Sequence, residues 1–376
     1  MKRTKIVFLT SSMQIGGQEQ YIAQQIINLD KSQFDATLCC LKTSGPMANR
    51  VVAQGIELVS DFQRFKYDLF SLWRLIRFLR VRKPDILYIF DFRNVLFIGR
   101  LAAKIAGVPL VVISCQKMAL HEKKGSYGRL DRLLMPLCDH VIAAAEAHRD
   151  SLIKNDKLSP YKVTVIHNGI DRGRIEQDTR EQVRRNELGI SESTRIIGTV
   201  ARLSKVKSQD VLLEATRIVA NSVPDVRLLI IGDGPERRTL EKKACDLRIQ
   251  SIVNFQGFKK NVASIVKLFD VFVLPSVSEL FSAATLEAML LSKPVVVTEV
   301  GGMPEMVLSG ITGYVVPAGN AEALAERILD LLRDPHHAES LGRAGRQRVL
   351  EHFTIEREVR QIESLFKKLL NKADEN

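Results

Sequence analysis

The sequence predicts an α/β fold with two Rossmann-like domains, because short apolar strands and amphipathic helices alternate along it in two successive series. A chain of 376 residues is long for one hydrophobic core and comfortable for two domains. The alternation pauses at KVTVIHNGIDRGRI, between the two series. Strands separated by helices pair in parallel, so we expect one parallel sheet in each domain.

The first series supplies the strands of the amino-terminal domain. Five short apolar runs predict them: KIVFL, ATLCCL, ILYIF, LVVIS and HVIAAA. Apolar residues at helical spacing predict helices near residues 19–28 and 71–81.

The second series follows a charged segment and predicts the carboxy-terminal domain. Its strands are RIIGTVA, VRLLIIG, IVNFQG, VFVLP and PVVVT. We expect domains at residues 1–168 and 169–352, and then a terminal segment, residues 353–376, with a helix near residues 355–370.

The segment PSVSELFSAATLEAMLLSKPVVVTEVGG contains two glutamates that are separated by seven residues across a strand-to-helix turn. Glu279 is expected at the mouth of the sheet, whereas Glu287 falls inside a short helix that starts near Ser282. A carboxylate buried in such a helix costs several kcal/mol unless something hydrogen-bonds it, and ribose hydroxyls are suitable partners. The backbone N–H groups at the helix start predict a diphosphate site. We assign that site to Leu280, Phe281, Ser282 and Ala283.

The linked pattern of strand, Pro-Ser, Glu, seven residues, Glu-Ala-Met, Pro-Val-Val-Val-Thr and Gly-Gly-x-Pro-Glu resembles the signature of retaining glycosyltransferase family four. The resemblance covers nearly the whole chain and is most specific over residues 196–353. It implies the GT-B architecture, in which the parallel sheets of two Rossmann-like domains face each other across a cleft and a carboxy-terminal helix crosses back to the first domain. It also implies that Glu279 binds the hydroxyls of a transferred sugar and that Glu287 binds the ribose.

Further loops gain roles from the same resemblance. Arg202 and Lys207, in ARLSKVKSQD, match the family's cations that neutralise the diphosphate as the sugar leaves. Gly16 and Gly17, in SSMQIGGQEQYI, would let backbone amides approach a phosphate. Binding of the nucleobase by a loop backbone is implied for Gly257 and Phe258, and Glu305 is a looser candidate.

The chain departs from the family pattern at two places. Leu280 and Ser282 replace glycines at the phosphate-binding turn, where side chains enter glycine-only conformations at a cost. The histidine that many members carry near the reacting sugar is missing, and Gln116, Lys117 or His121 stands near its position. The run IIGDGPERR lacks the third glycine of a dinucleotide fingerprint, so we do not expect a NAD site.

Charge is concentrated in the first half of the chain. Residues 1–170 contain 25 Lys and Arg against 14 Asp and Glu, within a whole-chain net charge of +12. In SLWRLIRFLRV, the predicted core stripe is Leu72, Leu75, Ile76 and Leu79. Arg74, Arg77 and Arg80 project elsewhere, with Trp73 and Phe78 near them, in a pattern that suits an anionic membrane surface or an ordinary solvated face. No pattern for nucleic-acid binding is present.

Composition adds expectations about the protein's environment. The five scattered cysteines predict neither disulfides nor a zinc site, and the absence of Asp-x-Asp favours a metal-independent reaction. The apolar run at the amino terminus is too short for a signal peptide, and no apolar segment is long enough to span a membrane. We therefore expect a cytoplasmic protein without a cofactor beyond its donor substrate. If the basic helix face meets a membrane, the expected location is peripheral, on the cytoplasmic face.

The sequence leaves several functions open. The first is transfer of a hexose-type sugar from a UDP- or GDP-sugar to a glycan or lipid-linked acceptor, as in cell-surface polysaccharide or lipopolysaccharide synthesis. The alternatives are a GT-B-like sugar-nucleotide epimerase or hydrolase, which needs no acceptor, and a module that binds sugar nucleotides without catalysis.

Overall fold

The computed structural model describes residues 3–65, 68, 70–90, 94–115, 133–180, 183–259 and 261–374, without the side chains of residues 373 and 374. The chain divides into two compact units. Unit 1 comprises Met1–Gly169 and Ile355–Asn376, and unit 2 comprises Ile170–Thr354.

Unit 1 is built on a parallel sheet of seven strands. They are β1 (Thr4–Thr10), β2 (Phe34–Cys40), β3 (Glu57–Val59), β4 (Ile86–Phe90), β5 (Leu110–Ser114), β6 (His140–Ala143) and β7 (Val163–Val165). The helices of its first segment, among the described residues, are α1 (Gly17–Ile27), α2 (Ala48–Val52), α3 (Phe70–Arg82), α4 (Asn94–Ala106) and α5 (Glu146–Asp156). The strand order is β3-β2-β1-β4-β5-β6-β7, so the order along the sheet reverses between β1 and β4.

Unit 2 repeats this plan with a parallel sheet of six strands. They are β8 (Arg195–Val200), β9 (Val226–Ile231), β10 (Val253–Gly257), β11 (Val271–Leu274), β12 (Val295–Thr298) and β13 (Tyr314–Val316). Its helices are α6 (Arg172–Asp178), α7 (Gln209–Ser222), α8 (Arg237–Asp246), α9 (Val262–Val266), α10 (Ala283–Leu290), α11 (Met303–Met306), α12 (Ala321–Arg333) and α13 (Pro335–His352). The order is β10-β9-β8-β11-β12-β13, which reverses between β8 and β11.

Strand β1 shows why the sheet of unit 1 is covered on both faces. Ile6 and Phe8 belong to one buried apolar cluster, whereas Val7 and Leu9 belong to another. Successive side chains of a strand point to opposite faces, so an unbroken apolar run fits a sheet with helices on both sides.

The last helix, α14 (Ile355–Asp374), packs on unit 1. Ile355, Val359, Ile362 and Phe366 recur at helical spacing and are buried in the cluster that contains Phe8. The ring of Phe366 meets Tyr88 edge to face, with 5.2 Å between the ring centroids. Its apolar stripe therefore holds α14 against the sheet.

The predicted α/β class and the ten predicted strands are confirmed. Strands β3, β7 and β13 were not predicted, because three residues are too few to show a periodic pattern. No described helix combines the length and the apolar character that crossing a bilayer requires.

Candidate active site

The candidate site of unit 2 lies where its sheet order reverses. All pairings in this sheet are parallel, so the carboxyl ends of its strands share one edge. The loops after β8 and β11, the strands on either side of the reversal, carry Lys207 and Glu279. Ligands of open α/β sheets bind in the crevice at such a switch point.

Lys207 and Glu279 form an ion pair between the amino group and a carboxylate oxygen. Their side chains are 22% and 14% exposed. The Ser276 hydroxyl also donates to Glu279 Oε2, over 3.4 Å. The N–H of Val277 donates to the carbonyl of Val206 at 2.9 Å, which ties the two loops together. The structure thus brings together two of the predicted catalytic side chains.

Arg202 lies on the same β8 loop and is exposed. Its carbonyl accepts a hydrogen bond of 3.0 Å from Gln209 Nε2, at the first residue of α7. Glycines of the β9 loop pack on its neighbours: a Cβ at Gly232 or Gly234 would lie 2.0 or 2.2 Å from the carbonyl oxygen of Ala201 or Leu203 respectively. The glycines of IIGDG therefore shape the backbone that presents Arg202.

The turn that begins at Glu279 tolerates the two replacements of glycine. Neither Leu280 nor Ser282 has a positive φ, so the expected conformational cost at these positions does not arise. The position near this turn that does require glycine is Gly301. Its φ is +51°, and a Cβ there would lie 1.8 Å from the Glu279 carbonyl oxygen. The N–H of Gly302 donates to the Leu280 carbonyl at 2.8 Å and fixes the turn.

The amino terminus of α10 follows this turn directly. Ser282 caps the helix by accepting a hydrogen bond of 3.2 Å from the N–H of Thr285. Phe281 is buried, and its ring meets Phe353 edge to face at 5.1 Å, so its side chain serves packing. Ala283, the first helical residue, is exposed. The helix thus starts shortly after Glu279 in the sequence, with its first residue at the surface.

Glu287 lies in α10 among apolar neighbours with its side chain largely buried, but the protein itself supplies its partner. Its Oε1 lies 2.5 Å from Arg174 Nη2, and the side chain is 15% exposed. Arg174 also pairs with Asp178 at 2.8 Å. Burial raises the pKa of Glu287, whereas Arg174 acts in the opposite direction. A ribose hydroxyl is therefore not needed to compensate this carboxylate.

Arg174 was missed by the sequence reasoning. It lies in α6, whose N-cap Asp171 accepts a hydrogen bond of 3.0 Å from the Arg174 N–H. The spacing of Asp171 and Arg174 is the available signal, since a capping aspartate predicts a helix start in a segment that otherwise reads as a link. Only the fold shows that this helix meets Glu287.

The remaining candidates of unit 2 occupy neighbouring loops. Gly257 has a φ of +64° and its carbonyl accepts a hydrogen bond of 2.9 Å from the Gly232 N–H. Phe258 follows it and is exposed. The Glu305 carbonyl accepts a hydrogen bond of 2.7 Å from Arg348 Nη2. Gly257 thus joins the β10 loop to the glycine segment that supports Arg202.

The glycine pair of unit 1 follows β1, beside the reversal of its sheet order. Gly16 is extended with a φ of −170°, and Gly17 is the first residue of α1. Among the described residues, a Cβ at Gly17 would meet nothing within 4 Å, and the three nearest atoms to one at Gly16 all belong to the Glu19 carboxylate. Packing against the described part of unit 1 therefore gives no reason for either glycine. Gln116, Lys117 and His121 lie outside the described residues.

Helix α3 partly contradicts the expected membrane face. Arg74 does not project freely, because it pairs with Asp68 and its Nε donates to the Phe62 carbonyl at 2.8 Å. Phe78 packs edge to face on Phe62 at 5.4 Å. Trp73 remains 57% exposed, with Arg77 over its ring at 5.7 Å.

Two family models together match most of the chain. The model described as Glycosyltransferase Family 4 matches residues 15–174, and the one described as Glycosyl transferases group 1 matches residues 180–348. The chain is 30% identical over 312 residues to N-acetyl-alpha-D-glucosaminyl L-malate synthase of Bacillus anthracis, covering 82% of this chain and 81% of the relative.

Two further proteins resemble the chain over its length. The Escherichia coli UDP-Gal:alpha-D-GlcNAc-diphosphoundecaprenol alpha-1,3-galactosyltransferase is 24% identical, and the match covers 97% of each protein. The structure of Anabaena HepE in complex with UDP-glucose matches with a TM-score of 0.83 at 21% identity, over 97% of this chain and 100% of that one. With its two parallel α/β sheets and its loops at the strand-order reversal, the chain belongs to glycosyltransferase family 4 and is a glycosyltransferase of the GT-B fold.

Proposed function

We propose that this glycosyltransferase moves a hexose-type sugar from a UDP-sugar, with retention of the anomeric configuration and without a metal ion. The Lys207–Glu279 ion pair at the strand-order reversal carries the proposal. It places a cation and a carboxylate at the edge of the sheet where such folds bind their ligands. The name of the E. coli relative and the ligand of the Anabaena structure favour UDP over GDP as the carrier.

In the proposed site, Glu279 accepts hydrogen bonds from hydroxyls of the transferred sugar. Lys207 then lies between this carboxylate and the diphosphate, and Arg202 reaches the diphosphate from the same loop. Backbone N–H groups at the start of α10, from Leu280 to Ala283, add partial positive charge. Negative charge grows on the leaving diphosphate, so these groups stabilise the transition state more than the bound substrate.

The proposed reaction needs no nucleophile from the enzyme. The acceptor hydroxyl oxygen bonds to the anomeric carbon on the face that the diphosphate leaves, and its proton passes to the departing diphosphate. Cationic side chains and helix amides take the charge-neutralising role that a divalent ion has in other sugar-nucleotide enzymes.

Glu287 and Arg174 form the proposed ribose end of the site. The Arg174 ion pair keeps the buried carboxylate compensated, and the second oxygen of Glu287 is the acceptor that we assign to the ribose hydroxyls. Gly257 and Phe258 are proposed to border the nucleobase, and Gly16 and Gly17 to offer amides to a phosphate. Packing against the described residues of unit 1 does not require these two glycines, which supports that last role.

The proposed acceptor is a glycan or a lipid-linked glycan, in synthesis of cell-surface polysaccharide or lipopolysaccharide. The E. coli relative is named for a diphosphoundecaprenol-linked acceptor. The first half of the chain is strongly basic, and α3 of unit 1 exposes Phe70 and Trp73 beside Arg77. Aromatic and basic side chains together suit an anionic membrane surface, where such an acceptor would reside.

Donor binding and turnover test this function. In a thermal-shift screen of UDP, GDP, ADP and their sugars, a ligand at a hundredfold excess over its dissociation constant stabilises by about 2.7 kcal/mol. We expect UDP and one UDP-sugar to stand out, and transfer to a lipid-linked acceptor to persist in EDTA. A strict need for added magnesium or manganese would refute the metal-free part.

Product analysis distinguishes the alternatives. Release or rearrangement of the donor sugar at full rate without acceptor would identify a hydrolase or an epimerase. Donor binding with no product under any acceptor condition would identify a binding module.

A further inference from the structure

Unit 1 contains a pocket of about 380 Å³ at the edge of its sheet, between β7 and α14. Its walls are Thr164 and the two residues after it, together with Arg357, Arg360, Gln361 and Ser364. Strand β7 is last in the sheet order, so the pocket adjoins a sheet edge. Two arginines, a glutamine, a serine and a threonine thus line one open cavity. Its volume is in the range of about 300–1,000 Å³ typical of small-molecule sites.

Two acidic residues of α14, Glu358 and Glu363, are buried, and they accept hydrogen bonds from the N–H groups of Gly169 and Asp30 respectively. A third, Glu356, is exposed in the first turn of the helix. Arg357 and Arg360 instead line the pocket and are exposed. The charged residues of α14 that line the pocket are both arginines, so this side of the helix is basic at the pocket.

Further cations extend this basic side beyond the pocket. The buried ring of His140 hydrogen-bonds to the hydroxyl of Thr164, a pocket residue, with 2.8 Å between Nε2 and Oγ1. Burial and, to a smaller extent, the charges of Lys162, Lys368 and Lys372 together lower the pKa of His140 to about 4. Three lysines are therefore close enough to act on a group that contacts the pocket wall.

We propose that this pocket is a binding site for a phosphate-bearing ligand, separate from the donor site of unit 2. Arginine presents two parallel N–H donors that match phosphate oxygens, and hydroxyl and carboxamide groups complete the coordination of a phosphate monoester or diphosphate. The ligand phosphate belongs either to a free phosphorylated compound or to the headgroup of an anionic lipid. This inference rests on unit 1 alone and does not depend on the proposed reaction.

Methyl NMR of the full-length chain tests the site, because Val165 and Ile166 line the pocket and report on it locally. The probes are inorganic pyrophosphate, glycerol 3-phosphate and phosphatidylglycerol vesicles, with phosphatidylcholine vesicles and sodium chloride of matched ionic strength as references. We expect a saturable shift of these two methyl groups with pyrophosphate. Binding at the donor site of unit 2 would shift a different set of methyl groups.

The variant R357Q/R360Q should bind pyrophosphate at least about tenfold more weakly, the scale for losing charge-assisted hydrogen bonds. The matched control, R50Q/K104Q, removes two exposed cations from α2 and α4 of unit 1 and should bind like the wild type. Both pairs change exposed side chains, so an unaltered melting temperature will show that folding is intact.

The outcomes separate the two sources of phosphate. Saturation by glycerol 3-phosphate supports a free ligand, whereas perturbation of the same methyl groups by phosphatidylglycerol vesicles, without saturation by glycerol 3-phosphate, supports a lipid headgroup. The proposal is overturned if neither pyrophosphate nor anionic vesicles perturb these methyl groups. It is equally overturned if sodium chloride reproduces the shift or if R357Q/R360Q binds like the wild type.

Discussion

Individual side chains of the proposed donor site are held by partners within the protein. Lys207 pairs with Glu279, and Glu287 pairs with Arg174. Side chains fixed by such contacts need little reorganisation during the reaction. Preorganised electrostatic groups stabilise a transition state for this reason. The same pairing makes the ion-pair partners sensitive to substitution, because removing one member leaves a partly buried charge.

Substitution of Lys207 by alanine is expected to lower turnover about a hundredfold or more, the scale for losing one preorganised electrostatic contact. R202A should act in the same direction. The control is K205A, since Lys205 is exposed in the same short turn as Lys207. Steady-state kinetics with matched melting temperatures provide the measurement, and wild-type turnover in the R202A/K207A double variant would refute the assignment.

The two glutamates are expected to differ in the ligand that they affect. E287Q should weaken binding of UDP and of the UDP-sugar alike, because the ribose is common to both ligands. E279Q should weaken only the UDP-sugar, since its proposed partners are sugar hydroxyls. Isothermal titration calorimetry measures both affinities, and equal losses for both ligands in both variants would contradict these roles.

At the scale of elements, α14 is joined to unit 1 by a buried carboxylate as well as by its apolar stripe. Glu358 accepts hydrogen bonds from the Tyr21 hydroxyl, the Gln25 carboxamide and the Gly169 N–H. It therefore connects α14 with α1 and with the last residue of the first segment of unit 1. Burial raises its pKa from 4.5 to about 7, while these hydrogen bonds act in the opposite direction.

This carboxylate is expected to make stability depend on pH. Between pH 4.5 and about 7 the folded state retains a proton that the unfolded state has lost, so the contribution of Glu358 to the free energy of unfolding falls as the pH rises. His140 acts in the opposite sense, because its lowered pKa removes stability as the pH falls from 6.5 toward about 4.

Comparison of E358Q with the wild type isolates the first effect. The difference in unfolding free energy between the two proteins, from urea denaturation at several pH values, should change across the window from pH 4.5 to 7. The wild type should lose stability relative to the variant as the pH rises. A difference that is constant across this window would show that Glu358 does not titrate there.

At the scale of the whole molecule, positive charge is concentrated in the first half of the chain, and Trp73 can report whether this half contacts a membrane. The chain contains a single tryptophan, so its fluorescence reports on α3 alone. Trp73 is 57% exposed and Phe70 is 69% exposed on the same helix, with Arg77 over the Trp73 ring. Insertion of these rings at a lipid interface would move the tryptophan into a less polar environment.

We expect the Trp73 emission to shift to shorter wavelength with phosphatidylglycerol vesicles at low salt, and the shift to decrease as salt rises. F70S/R77Q should abolish it. The control V81S changes an exposed residue of the same helix and should leave it intact. Arg74 is not a suitable target because its ion pair with Asp68 holds the loop before the helix. An unchanged emission of the wild type would refute membrane contact by this face.

The sequence alone predicted the strands that have four or more residues, because an apolar run of that length between turn-forming residues is a local signal. It also predicted the start of α10 near Ser282 and the position of Glu287 inside that helix among apolar neighbours. The linked glutamate and glycine pattern was sufficient to identify the family. These features depend on residues that are near each other along the chain.

Contacts between distant segments were decided only by the tertiary structure. Arg174 and Glu287 are 113 positions apart in the sequence, and Lys207 and Glu279 are 72 apart. No periodic sequence pattern predicts either pair. Gly301 must be glycine because its loop packs directly against the backbone of the Glu279 turn, which leaves no room for a Cβ. Pairings of this kind follow from how the strands order themselves in the sheet, which local sequence patterns do not encode.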